Sequence, residues 1–176
     1  MKRIALLLPL LLLLVGCGTT TTSSYPTPTA SASSSTVHPK GCVARDSRPD
    51  PRCTPGAVFS GVTPQKLCVS GYTQSVRAVS QAEKDRVYAE YGIVHHTTGQ
   101  YEIDHLISLE LGGNNDISNL WPEAAAPVPG FHQKDVLENV MHDKVCSGAL
   151  SLQAEQHEIA TNWIQAYEEM NREPKP

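Results

Sequence analysis

The sequence predicts an α+β domain: a β-hairpin set among helices and stapled by disulfides. Three observations predict it. The stretch over 101–107 (YEIDHLI) alternates in part, is rich in strand formers, and precedes a Gly112-Gly113-Asn114-Asn115-Asp116 turn. Two downstream segments carry apolar residues at helical spacing: Val136, Val140, Met141 and Val145, then Leu152, Ile159, Trp163, Tyr167 and Met170. Cys42, Cys53, Cys68 and Cys146 lie in the same region without any Cys-x-x-Cys pair, which favours bridges over a structural zinc.

The chain opens differently. Lys2 and Arg3 precede an apolar run over 4–15, the pattern of an export signal. The run is too short for a span of ~20 apolar residues. Leu14-Val15-Gly16-Cys17 resembles a bacterial lipobox. That resemblance implies a signal over 1–16, acylation of Cys17 (palmitate among the chains) and anchoring by lipid rather than by a helix. The domain is then expected on the periplasmic or extracellular face of the cell envelope. With Gly18 rather than Asp after the lipidated Cys, the outer membrane is expected where the host has two. Residues 17–41 read as the lipid-bearing Cys and a linker, since 13 of the 23 residues over 18–40 are Ser or Thr. Such a stretch cannot bury enough apolar area to offset its chain entropy. The folded domain is expected over 42–173.

Without residues 1–16, 12 basic side chains face 18 acidic ones, a formal net charge of −6. That surface gives no broad steering toward nucleic acid or anionic lipid. Repressors and coat proteins, which rest on a basic surface, are thereby disfavoured. An enzyme that grips phosphate locally through a metal is not.

With Cys17 set aside, four cysteines allow three pairings. A local clip, Cys42 with Cys53, and a long staple, Cys68 with Cys146, are favoured, although the spacings leave all three open. Residues 42–66 are aperiodic and rich in Pro, Gly and Arg, so a clipped loop is expected there. Ser80-x-x-Glu83 is a capping box and Gly92 a stop, framing a helix over 81–91. A strand is expected over 101–107 and a second over 117–121, ending before Pro122. Pro127, Pro129 and Gly130 mark a loop, a helix runs from His132 to Cys146-Ser147-Gly148, and a final amphipathic helix follows. Trp121 and Trp163 read as core, and His95 and His96 as surface.

The chemistry concentrates in Ile103-Asp104-His105-Leu106-Ile107-Ser108-Leu109-Glu110-Leu111-Gly112-Gly113 and Asn119-Leu120-Trp121-Pro122. Metal-assisted phosphodiester hydrolysis needs a hard anionic ligand, a neutral imidazole to take a proton from water, and a device to hold that ring. Neighbours on a regular strand point to opposite faces. At a strand end, Asp104 and His105 can address one site.

Residues from Tyr101 to about His142 resemble the HNH nucleases, whose fold is the ββα-metal (HNH/His-Me finger) motif. Members read Asp-His, a Gly-Gly turn, Asn-Leu, and then His or Asn on the helix. The resemblance implies a core over about 100–147 with additional flanking helices. It implies that His105 is the general base, that Asp104 ligates metal, and that Asn119 braces the loop and the base. For the ligand on the helix it points to His132, 13 residues after Asn119. Glu138, Asn139 and His142 compete on the same helix, and Glu138 and His142 share a face at i, i+4. One divalent ion is implied, Mg2+ or Mn2+, with Zn2+ or Ni2+ as alternatives. The implied substrate is nucleic acid, DNA ahead of RNA, and the protein is expected to be a monomer. The sequence departs from the pattern by lacking zinc-binding Cys pairs and by placing Ser108 where Pro is frequent. No Lys or Arg cluster flanks the motif; Arg77, Lys84, Arg86, Lys134 and Lys144 are the cations at hand.

The contrasting reading is a non-catalytic envelope lipoprotein that uses the ββα unit to bind a protein or polymer. A zinc hydrolase acting on other substrates is disfavoured, because no His-Glu-x-x-His is present.

Overall fold

Residues 39–172 are described by the computed structural model. The expected signal, Cys17 and the linker before residue 39 lie outside the described residues. In chain order the elements are α1 (Pro64–Leu67), α2 (Tyr72–Val76), α3 (Gln81–Glu90), β1 (Tyr101–His105), β2 (Leu120–Ala124), α4 (Phe131–Cys146) and α5 (Leu152–Arg172). The architecture is α+β, with one two-stranded antiparallel sheet among helices. The single turns α1 and α2 were not announced by any periodicity; α1 opens on Pro64, whose fixed φ suits a first helical position. No described helix is long and apolar enough to cross a membrane.

Helix α3 begins where its capping box places it. Glu83 N donates to Ser80 Oγ (3.2 Å), and Ser80 N donates back to Glu83 Oε2 (2.8 Å). Its buried Val87 packs with Ile103 and Leu120 against the sheet.

The second strand differs from the expectation. Ile117–Asn119 forms a 3-10 turn capped by Asp116, and β2 starts at Leu120 and runs through Pro122. Register explains why a strand accepts this proline. Leu106 N donates to Asn119 O (2.8 Å) and Ala125 N to Gln100 O (3.0 Å) at the two ends of the ladder. Bonded and non-bonded pairs alternate in an antiparallel ladder. The Ile103–Pro122 pair therefore falls on a non-bonded position, where the missing N–H takes nothing from the ladder. The first strand likewise stops at His105, short of the expected Ile107.

The connection between the strands is a loop over 106–119 rather than a tight hairpin. Gly113 is obligatory within it, because a Cβ there would occupy the place of Ile107 O. The N-terminal arm lies along this loop: Gly56 N donates to Ser118 O (3.0 Å), Phe59 N to Gly112 O (2.9 Å), and buried Thr54 Oγ1 to Leu120 O (3.0 Å).

The main core joins α4, α5 and the loop through Ile107, Leu111, Leu137, Met141, Ile159 and Trp163. The buried face of α4 is only partly the predicted one: Met141 and Val145 are buried as expected. Val136 is 52% exposed, while Lys134 is 1% exposed and Glu138 is also buried. The ion pairs of Lys134 with Asp104 and Glu138 are the reason. Helix α5 is broken at Asn162, whose backbone leaves the helical region. Arg48 Nη2 donates to Asn162 Oδ1 (3.0 Å) and Trp163 Nε1 to Ser47 O (2.9 Å), so the break ties α5 to the N-terminal arm.

Among the described residues two disulfides are present, Cys42–Cys53 and Cys68–Cys146, with Cα–Cα distances of 6.1 and 5.6 Å. They are the favoured pairing, and they fit an oxidising compartment. The second ties the end of α1 to the last turn of α4. Replacing both Cys68 and Cys146 by Ser is expected to cost ~4 kcal/mol, and both Cys42 and Cys53 ~3 kcal/mol, because the closed loops span 78 and 11 residues. Thermal melts of the two double variants check that order.

Candidate functional site

The site is built where β1 runs out. Beyond His105 the ladder is replaced by one side chain, Asn119, which is fully buried. Its Oδ1 accepts from Ile107 N (3.0 Å) and Ala57 N (3.3 Å), and its Nδ2 donates to Ile107 O (3.0 Å) and Asn114 O (2.9 Å). Asn119 thus braces the loop, and it makes no hydrogen bond to His105.

That ring is held instead by Asn115, a residue of the 112–116 turn. His105, 3% exposed, has Nε2 3.2 Å from Asn115 Oδ1. The amide orientation of Asn115 is fixed from the other side: Nδ2 donates to Val76 O (2.8 Å), and Oδ1 accepts from Ala78 N (3.2 Å). An oxygen facing Nε2 requires Nε2 to carry the proton, which leaves Nδ1 with the lone pair. Burial holds the His105 pKa below its ordinary value of 6.5, against the pull of Asp104 and Asn115, so the ring is neutral at pH 7.

Asp104 faces helix α4. Lys134 Nζ donates to Asp104 Oδ2 (2.6 Å), to His105 O (2.9 Å) and to Glu138 Oε1. Burial alone would discharge this ammonium, but Asp104 first and Glu138 next raise its pKa above the ordinary lysine range. Burial would likewise raise Asp104; Lys134 outweighs it and keeps the carboxylate ionised. Glu123 is fully buried beside Asp104, which takes a hydrogen bond from it. Burial pushes it up to about 10, against Lys134 and with help from Asp104, so it is a neutral acid at pH 7. In the sequence Lys134 stands out only as one of five cations near the motif. A signal was there: Lys134 lies on the stripe of Phe131, Glu138, Met141 and Val145, four residues before Glu138.

A cleft of about 320 Å3 opens over these groups. Its floor includes Asp104 and His105, and α4 contributes Asp135, Glu138 and Asn139. Carboxylate and amide oxygens of this kind suit a hard divalent ion such as Mg2+ or Mn2+. His132 does not join them. It is exposed, lies against Phe131 with ring centroids 4.2 Å apart, and does not line the cleft. It shares the helical stripe of Asp135 and Asn139 but sits one turn nearer the N-terminus, beyond the rim. Of the competing candidates, Glu138 and Asn139 do line the cleft. His142 instead turns to the disulfide, with Nε2 3.3 Å from Cys146 Sγ and 3.5 Å from Leu67 O.

Cys68, His142 and Cys146 offer donor atoms within 4.8 Å of one another, a group that could hold a metal ion. In the bridged form the two sulfurs are bonded to each other, and a thiolate ligand pair exists only after reduction. Comparison with protein-family models, curated proteins and solved structures finds no match for the chain.

Two outcomes test the buried cluster. Lys134→Met leaves Asp104 and Glu138 without their cation and is expected to cost ~3–5 kcal/mol in urea denaturation. Glu123 binds its proton more tightly folded than unfolded, so the stability it contributes is complete below pH 4.5 and is lost as pH rises toward about 10. Glu123→Gln is expected to flatten the alkaline decline of the melting temperature measured across that range.

Proposed function

We propose that this chain is a metal-dependent endonuclease of the HNH type, cutting phosphodiester bonds of nucleic acid, DNA ahead of RNA, at the cell envelope. The observation that carries this reading is His105, a neutral imidazole lining the cleft with Nε2–H tied to Asn115 and Nδ1 free to accept. Oxygen donors share that cleft, and the order β1, β2, α4 matches a ββα unit. The export-like N-terminus and the two disulfides support placement outside the cytoplasm, with Cys17 as the lipid anchor.

In the reaction His105 Nδ1 takes the proton of the attacking water, which requires the ring neutral and correctly turned. Asn115 holds the tautomer, and Asn119 keeps the loop closed beneath it. Asp104, with Oδ1 outside its ion pair, would hold one divalent ion together with Glu138, Asp135 or Asn139. When bound, that ion supplies charge neutralisation at the phosphate and leaving oxygens. Mg2+ or Mn2+ fits an all-oxygen set better than Zn2+ or Ni2+ does. Lys134 positions Asp104 and touches no substrate.

One observation favours the contrasting reading of a non-catalytic binding module: Lys134 already neutralises Asp104. Plasmid nicking separates the two. The full-length chain in detergent is expected to nick with Mg2+ or Mn2+, to stop with chelator, and to lose at least ~100-fold in rate in His105→Ala. The rate is expected to fall as pH drops below 6.5, where His105 begins to be protonated. Wild type and His105→Ala equally inert across the metals, with no metal-dependent thermal shift lost in Asp104→Asn, would leave the binding module as the reading.

A further inference from the structure

The cleft has a wall that this mechanism does not use. Arg77, at the end of α2, is the one cation among the described residues lining it. Apart from His105, the other titratable groups lining the space are acidic: Glu102, Asp104, Glu110, Asp135 and Glu138.

Arg77 is placed by the same side chain that holds the base. Asn115 Nδ2 donates to Val76 O and Asn115 Oδ1 accepts from Ala78 N, so one amide brackets Arg77 on both sides. That Oδ1 also accepts from His105 Nε2. The spacing between the guanidinium-bearing segment and the imidazole is therefore set by a single rigid group. A second, independent observation points to a ligand. Ser108 lines the cleft, is 3% exposed, and its Oγ has no hydrogen-bond partner. An unpartnered buried hydroxyl is unfavourable, and an oxyanion in the cleft would take its hydrogen.

We propose that Arg77 and Ser108 form a phosphate-binding site, kept in register with His105 by Asn115, that takes one phosphodiester at a time. A guanidinium suits this role because its fork matches two phosphate oxygens. The lone cation and the acidic surroundings limit the site to a single phosphate and make a run of duplex phosphates unfavourable. Glu110 Oε2 is also buried without a partner in this cleft, and it repels an anion. Phosphate binding is accordingly expected to tighten when Mg2+ occupies the carboxylates. The assignment of the anion as a phosphodiester rests on the nuclease reading; the anion site itself does not.

The test has two arms on the full-length chain in detergent: calorimetric titration with inorganic phosphate, with and without Mg2+, and hydrolysis of bis(p-nitrophenyl) phosphate. Arg77→Met is expected to weaken phosphate binding about tenfold and Ser108→Ala about threefold, the range of a charge-assisted and a neutral hydrogen bond. Arg77→Lys should recover part of the loss. Arg86→Met, on the exposed face of α3, should change nothing. In hydrolysis, Arg77→Met should raise KM more than it lowers kcat. Asn115→Ala should change both, since guanidinium and imidazole lose alignment together. Unchanged phosphate affinity in Arg77→Met, or no phosphate binding by wild type, overturns the proposal. Wild type that binds phosphate through Arg77 but hydrolyses nothing with any metal overturns the nuclease reading and leaves the anion site standing.

Discussion

A lysine ammonium buried between a helix and a strand end is the constraint on which this site depends. Lys134 can stay charged there only because three acceptors converge on it: Asp104, Glu138 and the carbonyl of His105. They come from both the helix and the strand end, so satisfying the ion fixes how α4 sits against the sheet. A buried ion pair gives little net stability compared with apolar packing, but it penalises every arrangement in which a partner is missing. The cluster thus specifies geometry more than it adds stability. It also rotates α4 so that Val136 is exposed and Lys134 is not.

The loop over 106–119 has little regular structure, yet it is among the most buried parts of the chain. Buried backbone groups must find partners. Two asparagine side chains provide them. Asn119 serves as a piece of missing strand for the Ile107 peptide, and Asn115 joins the loop to the end of α2. Amides suit both tasks because each carries donors and an acceptor on one rigid plane. The same two residues set the path of the chain beyond β1 and the orientation of the imidazole.

Electrostatics divides the site into unlike halves. On the α4 side, carboxylates and one buried lysine make an environment that attracts a cation. On the other side, Arg77 stands alone with a free hydroxyl nearby. Between them lies an imidazole kept neutral by burial. The negative overall charge and the cleft are thereby consistent: local groups, not a broad basic surface, would have to hold any phosphate.

Much of this was readable in the sequence. The capping box of α3, the spans of α4 and α5, the two tryptophans in the core, the favoured cysteine pairing and Asp104-His105 at a strand end all rest on patterns that the linear chain displays. Helix caps and apolar periodicity are satisfied by neighbours three or four residues away, so a short window encodes them. The tertiary structure alone decided the rest. It moved β2 past Pro122, drew Lys134 inside, left His132 on the surface and gave Asn115 the task of holding His105. Each of these depends on contacts beyond the local segment; Lys134 and Asp104 are 30 residues apart. Ladder register and buried charge pairing exist only once distant segments meet, and no local window contains both halves of such a contact.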